Sequence, residues 1–209
     1  MSDLGFILQE IFTMKKKEAT ALTRANLVTA FWTLYQEKRI EQISIKEITT
    51  IAGYNRSTFY EYFSDIYDIL AYLEDMILNE IKEHITTMLP LSNDESIIQS
   101  FADIYDSQGN YLNILLGENG DPYFIYKLKS IISSSFSSAL NISSEDIYSD
   151  FIYEFAISAI IGTLSYWLQH KNKITSKDLV ILIRSMLTNG SLSEIQKHST
   201  CNLLNDIKL

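Results

Sequence analysis

The chain has 209 residues, 46% of them hydrophobic, with only two prolines and seven glycines. That is enough apolar material for a sizeable core, and the scarcity of breakers favours long helices over many short strands. One cysteine, Cys201, excludes an intrachain disulfide, and a formal net charge of −9 argues against nucleic acid if the charge is evenly spread.

The charge is not evenly spread. Residues 1–64 hold eight lysines and arginines against seven acids, and residues 65–209 hold nine against nineteen. Within residues 14–64 the count is eight against five. The acidity belongs to the C-terminal part, while a modestly basic module stands at the front, where phosphate contact needs it. No stretch approaches the roughly 18 apolar residues of a membrane span. The opening carries Asp3, Gln9 and Glu10 rather than a secretory pattern. A soluble, cytoplasmic protein with no membrane partner is expected.

Residues 1–13 form an N-terminal extension ahead of Met14 and the cluster Lys15, Lys16, Lys17. Those lysines suit either a phosphate backbone or a solvated tail. Leu27, Phe31 and Leu34 fall at helical spacing and predict a first helix over about residues 18–37. A charged connection follows at 38–43. Ser44 and Glu47 then have the spacing of a capping box, in which each side chain satisfies the other's free backbone N–H. Ile48, Ile51 and Ala52 continue this helix's apolar face until Gly53 ends it. Asn55 is a good cap for a second short helix, Arg56–Tyr62, with Phe59 and Phe63 facing inward.

Two short helices joined by a tight turn lock at a steep angle, so that the first crosses a DNA backbone and the second enters the major groove. On that geometry the second helix presents Arg56, Ser57, Thr58 and Tyr60 to base edges and phosphates. Lys46 and Thr49 on the preceding helix are placed for the flanking backbone. Tyr54 and Asn55 in the turn and Tyr62 at the far end complete the candidate DNA-binding set.

The run ISIKEITTIAGYNRSTFYEYFSDIYDIL resembles the DNA-binding domain of TetR-family transcriptional regulators. The matching pieces are Ile48 with Ala52 and Gly53, then Ser57 to Tyr60 and Phe63, then Leu70; the distance to the preceding helix matches as well. The resemblance implies phosphate contacts at Thr58 and Tyr60. It also exposes two departures. A lysine commonly opens the fourth helix, where this chain has Ile66 beside Tyr67, leaving only the helix N-terminus to favour a phosphate. The histidine usually found before the second phenylalanine is replaced by Tyr62, a candidate donor.

Asp65 can cap a long helix with Ile69, Leu73, Ile77, Ile81 and Ile85 at i+4 spacing, ending before Pro90. Further helices are expected from Asn93 to near Gly109, from Asn110 to Leu116, over 123–140, over 145–170 after Ser143 or Ser144, over 175–189, and over 192–207. The fold class is all-α: a three-helix N-terminal helix-turn-helix domain over 14–64 and a helical effector-binding and dimerisation domain over 65–209, with about nine or ten helices.

Leu115 to Phe124 and Gly162 to Leu168 are similar to the C-terminal halves of TetR-like regulators from low-GC Gram-positive bacteria. The resemblance implies a small-molecule effector site and a homodimer interface over 148–170 and 175–189. Phe151, Phe155, Ile160, Ile161, Leu164 and Trp167 are too many large apolar residues for one exposed helix. Ala159 and Gly162 allow close approach of a partner helix, with Tyr166 and Ile183 beside them. A monomer core can absorb the same residues. Phe101, Tyr105, Tyr111, Tyr126 and Trp167 are aromatic candidates for an effector pocket, or for plain core.

Nothing points to catalysis. His84, His170 and His198 lie in distant segments, no Cys/His cluster has metal-ligand spacing, and no phosphate-cradling glycine loop occurs. No cofactor or metal is expected. The expected function is a transcriptional regulator, with repression relieved by ligand as the usual sign, that binds a palindromic double-stranded operator. The alternative is a TetR-like interaction module that does not itself bind DNA.

Overall fold

Among the described residues the chain folds into α-helices, with no strand. The computed structural model describes residues 3–88, 94–117, 120–140, 147–170 and 173–190. Among these residues eight α-helices run in order: α1 Asp3–Tyr35, α2 Ile45–Ala52, α3 Arg56–Tyr62, α4 Ile66–Met88, α5 Asp94–Leu115, α6 Pro122–Leu140, α7 Ile147–Gln169 and α8 Ser176–Asn189. A single 3-10 turn, Ile40–Gln42, links α1 to α2. The chain divides into two compact units, Met1–Asp75 and Met76–Leu209, and the division falls within α4.

In the first unit α1 is longer than expected. Residues 3–13 are helical and continuous with the rest, not a separate arm. No proline interrupts them, and the Met-Lys-Glu-Ala-Leu composition up to Leu22 is made of strong helix formers. The core of this unit is built from Leu27, Phe31, Ile48, Phe59, Phe63 and the first turns of α4 at Ile69, Leu70 and Leu73, all buried.

The second unit buries Ile77 and Ile81 of α4, continuing the i+4 row, together with Leu112, Leu115, Phe124, Leu128, Ile157, Ile161, Leu168 and Leu179. The expected break at Gly109 does not occur, and α5 runs through it. A mid-helix glycine costs about 1 kcal/mol relative to alanine. Here it has a packing role: a Cβ at Gly109 would lie 3.0 Å from the Tyr105 ring, which folds down over the glycine. The Tyr105 ring in turn meets Trp167 at 4.8 Å between centroids. The helix expected over 192–207 lies outside the described residues.

α7 corrects the expectation that nothing is apolar enough to span a membrane. Phe151–Gln169 meets that test by length and composition, yet only 22% of it is buried. One face, Ile157, Ile161 and Leu168, is packed inside. The opposite face leaves Phe151, Ile152, Phe155 and Tyr166 exposed.

Candidate DNA-binding surface and effector body

The α2–turn–α3 unit is held by local chemistry that the sequence encodes within a few residues. Ser44 donates its backbone N–H to the Glu47 carboxylate (3.0 Å), and the Glu47 N–H returns to Ser44 Oγ (3.3 Å). Lys38 Nζ adds a contact to Glu47 Oε1 at 2.6 Å. Hydrogen bonds from Lys38 and from the Ser44 side chain and backbone lower the Glu47 carboxyl to about 2. Gly53 ends α2 in the left-handed conformation (φ 75°, ψ 26°). Asn55 then opens α3: its Oδ1 accepts from the Thr58 N–H (2.8 Å), Ser57 Oγ (2.6 Å) and Thr58 Oγ1 (3.1 Å).

Phe59 at the middle of α3 is fully buried, and Phe63 packs beside it at 5.8 Å. That anchor turns the opposite side of the helix outward. Arg56 and Ser57 are exposed, and Tyr60 is 52% exposed with its hydroxyl 3.5 Å from Arg56 Nη2. Lys46 is exposed on α2. Thr58 is half-buried, its hydroxyl bonded to Asn55.

Three expected contact residues also make contacts within the unit. Thr49 is only 4% exposed, and its hydroxyl donates to the carbonyls of Ile45 (2.9 Å) and Lys46 (3.1 Å), so it serves the helix and not the surface. Tyr54 is half-buried. Its hydroxyl accepts from Asn26 Nδ2 (3.1 Å), and the neighbouring Thr23 and Asn26 side chains hold its pKa below the ordinary 10.0. Tyr62 turns its ring toward the Arg24 guanidinium, 5.7 Å from the centroid.

The α4 N-terminus also departs from expectation. Asp65 Oδ1 accepts from the backbone N–H groups of Tyr67 (2.8 Å) and Asp68 (2.9 Å), and Asp68 Oδ2 accepts from Ser64 N (2.8 Å). Carboxylates of the chain itself already take two of the α4 N-terminal donors that a phosphate would use, and their charge opposes it.

In the second unit the aromatic candidates separate. Phe101 and Tyr105 of α5 both meet Trp167 of α7, at 6.2 and 4.8 Å. Trp167 Nε1 donates to the Ile174 carbonyl at 2.9 Å. Tyr111 is half-buried on α5. Tyr126 faces solvent, 66% exposed and stacked on Tyr123, so it lines no interior space. An open groove of about 400 Å³ lies elsewhere, between α5 and α8, bordered by Ile98, Val180, Ile181, Arg184, Ser185 and Thr188. None of the five aromatic candidates borders it. No motif marks this groove, since the part of α8 that borders it mixes polar and aliphatic residues.

Of the dimer candidates, Phe151 and Phe155 are 72% and 70% exposed, and Tyr166 is 58% exposed. Gly162 is exposed with open space around its missing Cβ, while Ala159 and Ile183 are half-buried. Among the described residues no three His, Cys, Asp or Glu side chains come together as a metal site.

Residues 93–189 match a TetR-family model described as a transcriptional regulator C-terminal region. A TetR transcriptional regulator from Streptococcus agalactiae 2603V has a similar structure, with 24% identity and a TM-score of 0.65 over 84% of this chain and 98% of that one. A tetR-family transcriptional regulator from Streptomyces coelicolor shows 15% identity and a TM-score of 0.61 over 82% and 83% of the two chains. Thermus thermophilus FadR, a TetR-family transcriptional repressor in complex with lauroyl-CoA, shows 15% identity and a TM-score of 0.52 over 80% and 94%. No curated protein sequence matches the chain.

Proposed function

From a chain that has the fold of TetR-family transcriptional regulators, we propose a DNA-binding regulator that acts as a homodimer on a palindromic double-stranded operator and answers to a small-molecule effector. The observation that carries this reading is α3, which Asn55 caps, Phe59 anchors and Gly53 sets apart from α2, with Arg56, Ser57 and Tyr60 on its exposed side. Guanidinium and hydroxyl groups are the side chains that recognise base edges and phosphates. Two copies of such a helix, about one DNA turn apart, read a palindrome.

The helical body supplies the second half of the proposal. The exposed stripe of α7 supports pairing with a second copy, and the lauroyl-CoA complex of Thermus thermophilus FadR supports an effector role for this half. Ligand binding there shifts the equilibrium between dimer geometries with different recognition-helix spacing. Repression relieved by ligand is the sign we propose. The protein is not an enzyme in this reading.

One observation favours a second reading, an interaction module without DNA binding: Asp65 and Asp68 close the α4 N-terminus to phosphate. A salt titration of binding to DNA fragments from upstream of the protein's own gene separates the two. Fragment-specific binding that weakens steeply with salt supports the regulator. No binding to any upstream fragment at low salt supports the module.

A further inference from the structure

We propose that Arg24, on α1, is a positioning residue for the recognition helix α3, a role that rests on the DNA-binding reading. A seven-residue helix has little stability of its own, so packing sets its direction. Phe59 is its one fully buried side chain, and a single central anchor leaves a short rod free to pivot. Contacts at both ends remove that freedom, and α1 supplies both. At the leading end Asn26 Nδ2 donates to the hydroxyl of Tyr54, immediately before the capping Asn55. At the trailing end the Arg24 guanidinium lies 5.7 Å from the ring of Tyr62, the last residue of α3, and 5.3 Å from the ring of Tyr72 on α4.

Arg24 is suited to this role rather than merely nearby. Its Nε is buried and has no hydrogen-bond acceptor among the described residues, so the two ring faces compensate the cation there. A planar guanidinium can stack on aromatic faces, which a lysine ammonium cannot do. Tyr72 also touches Phe63 at 5.6 Å, so the same cluster fixes the residue that ends α3. The Tyr62 ring, not its hydroxyl, is then the functional part of that residue.

The test uses the full chain with Arg24→Met, Arg24→Lys, Tyr62→Phe, Tyr62→Leu and the Arg24→Met/Tyr62→Leu double variant. Affinity for the specific upstream fragment is measured across a salt series, together with amide exchange of α3 without DNA. Arg24→Met and Tyr62→Leu are each expected to weaken binding about tenfold, equivalent to about 1.4 kcal/mol. The double variant should be no weaker than either single one, Arg24→Lys should recover part of the loss, and Tyr62→Phe should stay within about twofold of the parent. α3 amides should exchange faster in Arg24→Met while those of α7 do not. Unchanged affinity in Arg24→Met, or losses that simply add in the double variant, overturn the proposal. So does a salt slope that falls by about one in Arg24→Met, which marks a direct phosphate contact. Tyr62→Phe losing as much as Tyr62→Leu returns the role to the hydroxyl and also overturns it. If Arg24→Met does not fold, the two Tyr62 variants decide. A parent chain that binds no fragment overturns the DNA-binding reading, while the exchange rates still decide whether Arg24 holds α3.

Discussion

Arg56 and Tyr60 lie four residues apart on the exposed side of α3, close enough for the guanidinium to approach the phenol oxygen. Neither contributes to the core, so removing their polar groups should change DNA affinity without changing stability. Arg56→Ala and Tyr60→Phe are each expected to weaken specific binding about tenfold, in the range of one lost charged or polar DNA contact, with the melting temperature unmoved. Thr49→Val serves as the contrast: its hydroxyl is satisfied by the backbone of its own helix, so affinity should hold. Ser44, Glu47 and Asn55 could be read from the sequence because donor and acceptor lie within three residues of each other. Thr49, Tyr54 and Tyr62 could not. Thr49 back-bonds within α2, while the partners of the other two are on α1, 28 or more residues away, where no local spacing reveals them.

Glu47 links the residue to its element. Its carboxyl lies well below the ordinary 4.5, at about 2, because Lys38 and Ser44 bond its charged form. A carboxyl depressed on folding stabilises the native state above its unfolded pKa, and that contribution is lost as pH falls through the folded value. The first unit should therefore lose stability between about pH 4.5 and pH 2, and Glu47→Gln should flatten that part of the melting-temperature profile. If the variant follows the parental profile through this window, the pair has no such role.

At the scale of elements, the turn between α2 and α3 depends on one backbone conformation. Gly53 has φ +75°, and nothing lies within 4 Å of the point a Cβ would occupy, so a side chain there meets strain in the backbone and not a clash. Gly53→Ala should cost about 1 kcal/mol in denaturant unfolding of the first unit, and Gly53→Asn less, since asparagine tolerates the left-handed region. An alanine as stable as the parent would show that the turn relaxes to another shape. Gly109 teaches the opposite lesson. The sequence suggests a helix break at both glycines, but at Gly109 the absent side chain makes room for the Tyr105 ring, and the helix continues. A glycine's role depends on whether its missing Cβ serves backbone or neighbour, and only long-range packing, here through Trp167, decides that.

At the scale of the whole molecule, the exposed face of α7 is the feature most in need of a partner. Ile152, Phe155, Ala159, Gly162 and Tyr166 follow one another at alternating steps of three and four, the spacing of a helix–helix seam. Large apolar side chains stand at its beginning and end, and small residues at its middle let another helix approach. A face this apolar does not persist in water without a cost, and a membrane is one place to hide it. The other face argues against that solution. Lys129 of α6 pairs with Glu154 of α7 and donates to Ser158, while Ser165 donates to the Leu116 carbonyl, so polar contacts tie the same stretch to α6 and to the end of α5. The second copy we propose would cover the stripe without disturbing them. Phe155→Asp puts a charge at the seam and should convert the dimer we propose to a monomer in sedimentation experiments, with helix content retained. Its affinity for a palindromic fragment should then fall far more than for a half-site, since only the dimer binds both halves at once. If Phe155→Asp sediments as the parent does and binds both fragments equally well, the seam lies elsewhere on the body.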